Sequence, residues 1–485
     1  MTSTPLPTAH AITSALTEGR TTATAMARAI LEASKRAGKQ RPNLDPFVAI
    51  DEARVLAEAA RADARYASKQ TLGPLDGVPI GVKDHVDVEG YVTRNGASWM
   101  PDVPCQADAP IVAQLRAAGA VIVGKLHQHE LGLGATGINM HYPVPRNPHD
   151  ARHAPGGSSS GSGAAVALGL MPVAVAADGG GSIRIPASLC GVFGLKPTFG
   201  RTSRTAADLD PGTLAVAGPI ASSVADLDLF LRATSAFDPR DASMISAPPL
   251  DLAALDRARK GEGRPLRIGI VAGEVEDADA SIGRAFERAL SDPALGRLLE
   301  RVEVRIPSLS LARSIGYVTF GVEVAAGHRR HLELHRGRMG LDVRLIMALG
   351  ERLSGSDFIH AQKHRARLRR DVDAAFAKVD LLVLPTTGCT APVVRDAAER
   401  TGEVDDAGTA KLTRYTFMGN LCGLPAASVP IGVDPASLPI GLQLIGSAFD
   451  EATVLRAAYA LERAGIAACP VAEHRSDALS ALTSR

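Results

Sequence analysis

Pro155 to Thr198 reads PGGSSSGSGAAVALGLMPVAVAADGGGSIRIPASLCGVFGLKPT, and the interpretation of the whole chain turns on it. Two glycine-serine loops, residues 156–161 and 179–184, flank an apolar segment. Taken alone, either loop reads as a flexible linker. Their surroundings decide otherwise. Ala164 to Leu170 is built of helix formers, Val173 to Ala177 is a short β-type run after Pro172, and Ile183 to Leu195 is apolar again. A linker is not embedded in such core, so one packed helix-strand unit is expected to hold the two loops together. Glycine lets main chain approach a ligand, and serine offers a nucleophile or a hydrogen bond.

Upstream, Gly73 to Asp84 (GPLDGVPIGVKD) is a turn-rich approach to a short β-like run ending at Lys83. A strand-end lysine is ordinarily a surface residue. Beside two catalytic-looking loops it is also a candidate base. Thr21 and Thr22 are candidate caps for a helix carrying Ala25, Met26, Ala29, Ile30 and Leu31, and a second helix is expected from Glu52 through Ala67. A helix over 109–120 then precedes the strand Val121-Ile122-Val123, and such alternation indicates an α/β sheet. Gly132 to Gly137 satisfies GxGxxG, but Ile138 to Pro145 contains two prolines and opens no long helix to receive a pyrophosphate, so a dinucleotide site is rejected.

Downstream, residues 236–370 change character, with helical patterns dense in arginine. His328, His331 and His335 share one helical face, as do His360 and His364. The interleaved arginines oppose a metal cation, HExxH is absent, and a solvated or partner-facing helix is expected. Asp380 to Pro385 reads as a buried strand, Asn420 to Gly432 and Leu438 to Gly446 as an apolar strand pair, and Glu451 to Ala464 as an amphipathic helix. Asp178 and Arg184 are expected to pair and hold the second loop, and Cys190 to be a small core residue.

The chain has 485 residues, 46% of them hydrophobic, enough for a large core. A net charge of +1 implies no general attraction to nucleic acid or to anionic membrane. Five cysteines without CxxC spacing indicate neither a disulfide framework nor a zinc ribbon, and fit the cytoplasm. The N-terminus lacks a secretory pattern, and the longest near-apolar run falls short of the ~20 residues that span a bilayer.

From Gly77-Val78-Pro79-Ile80-Gly81-Val82-Lys83-Asp84 to Leu442-Gln443-Leu444-Ile445-Gly446 the chain resembles the amidase signature hydrolases. Lys83 precedes Ser158 by 75 residues and Ser158 precedes Ser182 by 24, as in that family. The motifs around His129 to Gly137, Arg146 to Asp150 and Asp178 to Ser182 look most similar to plant-type fatty acid amide hydrolases and bacterial amidase relatives. Two positions depart from the commoner family form, which has threonine in place of Gly179 and glycine in place of Ser160.

The resemblance implies an α/β fold with a central mixed β-sheet covered by helices on both faces. It implies a single domain over 1–485, with an N-terminal helical layer at about 8–70, a catalytic core at about 71–230 and 375–470, and a variable helical segment at about 236–370. It further implies a Ser-Ser-Lys triad: Ser182 as nucleophile, Ser158 as the bridging serine on a cis peptide after Gly157, and Lys83 as base. Main-chain N–H groups of Gly179, Gly180, Gly181 and Ser182 would form an oxyanion hole. Gly132 would supply a main-chain contact near the leaving group or the Ser182 hydroxyl.

The chemistry suits those residue types. A serine hydroxyl needs a neighbour to take its proton, and a lysine does so only where burial lowers its pKa. No carboxylate is expected in the immediate sequence of the two loops beside Lys83. The pocket wall is expected from 310–370 and from loops near Trp99 and Met140.

The expected activity is cleavage of an amide C–N bond by acyl transfer, on apolar acyl or aryl amides and anilides, with carbamate (urethane) or ester hydrolysis as a further activity. No cofactor or metal is required, the substrate is a small molecule, no nucleic acid or membrane span is involved, and a monomer or homodimer is expected. Two other readings stand beside this one. The first is the ammonia-releasing subunit of a glutamine amidotransferase, working in a tRNA-linked complex. The second is a non-catalytic binding or metal protein built on the histidine-rich helices.

Overall fold

Lys83 ends one strand and Asp178 ends another, and the sheet that contains both explains how distant residues meet. The structure is a computed structural model describing residues 5–204, 212–296, 298–402 and 404–483. Its strands in chain order are β1 (Phe47–Ala49), β2 (Pro79–Lys83), β3 (Val121–Leu126), β4 (Val173–Asp178), β5 (Phe193–Lys196), β6 (Val216–Ala221), β7 (Leu266–Val271), β8 (Leu299–Val304), β9 (Leu381–Pro385), β10 (Ala426–Val433) and β11 (Pro439–Gly446). They join in one 11-stranded sheet of order β1-β3-β2-β4-β6-β5-β10-β11-β9-β7-β8. The β2 strand pairs parallel with β3 and β4, and β7 pairs parallel with β8 and β9. The remaining pairs are antiparallel, so the sheet is mixed.

Every residue of β2, β3, β4, β6 and β9 is buried. Successive side chains of a strand point to opposite faces, so both faces of the sheet are covered. Helices do the covering. The N-terminal layer comprises α1 (Ala9–Thr17), α2 (Ala23–Gly38) and α3 (Glu52–Ala67). Thr22 caps α2 by accepting from the Ala25 amide, and Asp51 caps α3 by accepting from Arg54. Val55, Ala59 and Ala62 form the inward stripe of α3.

Next come α4 (Pro110–Ala117), α5 (Ser160–Ala167), α6 (Arg184–Leu189) and α7 (Val224–Thr234). The α5 helix begins four residues earlier than its composition suggests, taking in Gly161 and Gly163. Glycine is required at 161, where a Cβ would lie 2.5 Å from the His127 nitrogen and 2.6 Å from the Pro46 carbonyl oxygen. Close approach, not propensity, places the helix there.

The arginine-dense segment carries α8 (Leu252–Lys260), α9 (Ala280–Leu290), α10 (Ala312–Gly327), α11 (Arg329–His335), α12 (Leu341–Arg352) and α13 (Gly355–Phe376). It is not purely helical, because β7 and β8 lie within it and extend the main sheet. Exposed Glu300, Arg301 and Glu303 give β8 a charged edge face, which hides its strand character in composition. The chain closes with α14 (Ala398–Thr401), α15 (Asp406–Leu412), α16 (Phe417–Leu421), α17 (Glu451–Arg463) and α18 (Ala478–Thr483). Among the described residues, no helix is long and apolar enough to cross a membrane.

Candidate active site

Because β2 and β4 are adjacent and parallel, their C-terminal ends open on the same side of the sheet. Loops that follow such ends are the usual place for ligands. Lys83 is the last residue of β2, Asp178 the last of β4, and the second glycine-serine loop follows at once.

Lys83 is 2% exposed and Ser158 1%. The lysine Nζ donates to Ser158 Oγ at 2.7 Å across 75 residues of sequence. Burial lowers the Lys83 pKa to about 7, while the charge of Asp178 works in the opposite direction. The expectation of no carboxylate nearby is therefore corrected, since Asp178 stands at the head of the second loop. Desolvation still prevails, as it does for an ammonium taken out of water without a direct ion pair.

The Gly157-Ser158 peptide is cis. Its segment is pinned from one side by Gly156 N to Thr136 O (3.1 Å) and Gly157 N to Ala135 O (2.7 Å). His129 N donates to Ser158 O (3.0 Å), and Ser159 Oγ donates to Ala177 O (3.2 Å), tying the first loop to β4. Gly132 (φ +74°) faces this segment: a Cβ on it would stand 3.6 Å from Ser158 Oγ. Its amide is spent on His129 O (2.9 Å), which leaves the carbonyl for any main-chain contact.

Ser182 is partly exposed, in contrast to the buried Lys83 and Ser158. Gly179 and Gly180 are also partly exposed. The amides of Gly179, Gly180 and Ser182 donate to no acceptor among the described residues. Gly181 differs and corrects the expected set of four donors, because its amide donates to Asp178 Oδ1 at 2.7 Å. Asp178 also accepts from Ile183 N (3.2 Å), folding the loop around one carboxylate.

That carboxylate pairs with Arg184, as anticipated, through Nε at 2.9 Å and Nη2 at 3.0 Å, with both side chains fully buried. Burial alone would raise the Asp178 pKa, but Arg184 overrides it and holds the carboxyl well below the usual range. Three bracing residues were not evident from sequence. Asn420 donates to Asp178 O (3.0 Å) and Oδ1 (2.9 Å), Gln443 accepts from Arg184 Nη1 (2.5 Å), and Thr416 Oγ1 donates to Gly180 O (2.5 Å). Their one signal is a polar residue set within an apolar run, as Gln443 is in PIGLQLIG.

Of the segments expected to wall the pocket, 310–370 reaches the second loop. The α10 helix sets Phe320 beside Gly179, and Phe417 lies beside Gly180. Trp99, Leu131, Leu133, Leu332, Met339, Val343 and Met347 form a buried cluster, with Met100, Phe320, Val324 and Ile346 partly buried against it. His328 is buried rather than solvated, and His331 and His335 pack on Trp99, so that histidine face turns inward. His360 and His364 are exposed, as expected. Among the described residues, no group of three or more His, Cys, Asp or Glu is placed to hold a metal. Cys190 is fully buried and its thiol is pushed up in pKa, the state of an inert core cysteine. A separate cleft of about 740 Å³ is lined by Arg365, Arg369 and Cys422 among others, and includes none of Lys83, Ser158 and Ser182.

Comparison with known proteins bears on this geometry. The amidase family profile matches residues 28–455. Fatty acid amide hydrolase of Medicago truncatula is 38% identical over 449 residues, 92% of this chain and 74% of that protein. The glutamyl-tRNA(Gln) amidotransferase A-type subunit of Picosynechococcus is 34% identical over 87% of this chain and 91% of its own length. A solved structure, described as a vestigial protein complex revealing the origins of an s-triazine catabolic enzyme, superposes with a TM-score of 0.86. That structure is 32% identical and the match covers 96% of this chain and 100% of the other.

Proposed function

This chain belongs to the amidase family, hydrolases of amide C–N bonds, and we propose that it cleaves apolar acyl or aryl amides through Ser182, Ser158 and Lys83. The observation that carries the reading is the 2.7 Å contact between a buried lysine and a buried serine, with a partly exposed serine on the neighbouring loop.

Ser182 Oγ attacks the substrate carbonyl carbon as its proton passes to Ser158 and the Ser158 proton passes to Lys83. The lysine must begin neutral, and a pKa of about 7 leaves much of it so at neutral pH. Amides of Gly179, Gly180 and Ser182 meet the negative charge that develops on the carbonyl oxygen; losing one such donor typically costs ~3 kcal/mol of barrier. Gly181 serves by bonding Asp178, which keeps the loop in shape. Gly132 faces Ser158 from the neighbouring loop, where its lack of a side chain leaves room beside the relay. The same relay then protonates the leaving amine, and water releases the acyl group from Ser182. No step calls for a metal or cofactor. Carbamates and esters present the same carbonyl and fall within the same chemistry.

The apolar wall around Phe320 and Leu131 favours a hydrophobic acyl or aryl group. Five free cysteines suit a reducing cytoplasm. The test is hydrolysis by the purified chain of a fatty acyl ethanolamide, an aryl anilide, an aryl carbamate, a primary amide and glutamine, with Ser182→Ala as control. Ser182-dependent cleavage of an apolar amide, unchanged by a chelator, is the expected result. Cleavage of glutamine alone would instead favour the amidotransferase reading.

A further inference from the structure

Glu130 is a carboxylate buried to 2% exposure that the proposed chemistry does not use. Its Oε1 accepts from Trp99 Nε1 at 2.8 Å and lies 2.8 Å from His141 Nε2, and its Oε2 accepts from the Gly340 amide at 2.8 Å. These partners come from three separate stretches of chain. One residue earlier, His129 Nε2 stands 2.9 Å from Asp342 Oδ2, so adjacent core residues grip the start of α12 twice. Gly340 is the residue immediately before α12, where a negative charge is favoured by the helix dipole.

The grip reaches the reacting groups by direct packing. The α12 helix lies so close to α10 that a Cβ on Gly350 would overlap the Gly321 carbonyl oxygen. In turn α10 presents Phe320 to Gly179 in the nucleophile loop. On the other side, Leu131 and Leu133 flank Gly132, which faces Ser158, and share one cluster with Met339, Val343 and Met347. Leu131 itself has φ +51°, held by its amide bonding to Asn95 O at 2.9 Å. A non-glycine residue in that region persists only where its surroundings enforce it.

We propose that Glu130 is a positioning residue that sets the acyl-group selectivity of the site by clamping the α10–α12 wall to the catalytic core. This rests on the reading of the site as an acyl-transfer centre. A buried carboxylate is tolerable only with its donors in place, so it specifies one arrangement of the Trp99 loop, the His141 loop and α12. Glutamine in its place would turn an amide NH₂ toward one of those donors and loosen the arrangement.

Trp99 is the only tryptophan in the chain, and it stacks on His335 with ring centroids 4.8 Å apart. It therefore reports on the clamp directly. The experiment measures kcat and KM for acetyl and dodecanoyl 4-nitroanilides in the wild type, Glu130→Gln and Trp99→Phe, together with tryptophan emission in the first two. In Glu130→Gln, KM for the dodecanoyl substrate is expected to rise about tenfold relative to that for the acetyl substrate, the scale of one lost charged hydrogen bond. Its emission should shift to longer wavelength as the indole is released. Trp99→Phe removes one donor and no charge, should move the KM ratio the same way by less, and carries the test if Glu130→Gln does not fold.

An unchanged KM ratio with unchanged emission, or an equal loss of kcat on both substrates with KM unmoved, overturns the proposal. Absence of Ser182-dependent hydrolysis in the wild type would instead defeat the reading of the site. The emission of Glu130→Gln tests the clamp separately from that outcome.

Discussion

At the scale of single residues, the burial of Lys83 costs stability. Its folded pKa of about 7 lies below the ordinary 10.5, so the unfolded chain binds the extra proton between those values. Stability from this group is therefore complete above 10.5 and is lost as pH falls toward 7. Lys83→Met should abolish hydrolysis yet melt at a higher temperature than wild type at about pH 6, with a smaller gain at about pH 10. Equal melting shifts at both pH values would contradict this. In the wild type, kcat/KM should rise with pH through about 7 and level off above it, since only the neutral amine accepts a proton. Asp178→Asn should be more damaging to the fold. It leaves the fully buried Arg184 without its counter-charge, a loss of ~3–5 kcal/mol by denaturant titration. Lys83, Ser158 and Ser182 are marked in the sequence by motif and spacing, and the structure brings the first two into contact. Asn420, Thr416 and Gln443 are not so marked, because their role depends on long-range contacts with Asp178, Gly180 and Arg184 that no local pattern encodes.

At the scale of elements, local rules succeeded where an element makes its own signal. Glu52–Ala67 carries its cap at Asp51 and its inward stripe, and Pro79–Lys83 has a turn before it. They failed for β7 and β8, whose place is decided by pairing with β9 far along the chain. The start of α5 was missed for a related reason, since two helix-disfavouring glycines are there to let it press against His127 and Pro186. The α10–α12 contact allows a quantitative check. Glycine to alanine inside a helix ordinarily gains up to ~1 kcal/mol from propensity. At Gly350 the added methyl would collide with the Gly321 carbonyl, and overpacking typically costs ~1–3 kcal/mol. The clash should win, so Gly350→Ala is expected to lower the melting temperature and to perturb the wall near Phe320. A stabilised variant would show that the two helices separate freely.

At the scale of the molecule, one hydrophobic core runs from Ile12 in α1 through Val175 in β4 to Phe286 in α9 and Leu455 in α17. The segment expected from its composition to be helical contributes Leu266, Ile268, Ile282 and Phe286 to that core. On this basis the chain is proposed to be a single cooperative domain, and calorimetry should show one unfolding transition, with no earlier melting of 252–304. Two resolved transitions would divide it. On the proposed reading, sheet, loops and wall serve one partly exposed serine, Ser182, and the buried Ser158-Lys83 pair. The most direct measurement is therefore to treat the active enzyme with a fluorophosphonate and locate the adduct by intact mass and peptide mapping. A single adduct on Ser182, absent from Ser182→Ala and strongly slowed in Lys83→Ala, is the predicted result. An adduct on Ser158 or another side chain, or inhibition unaffected by Ser182→Ala, would contradict the account.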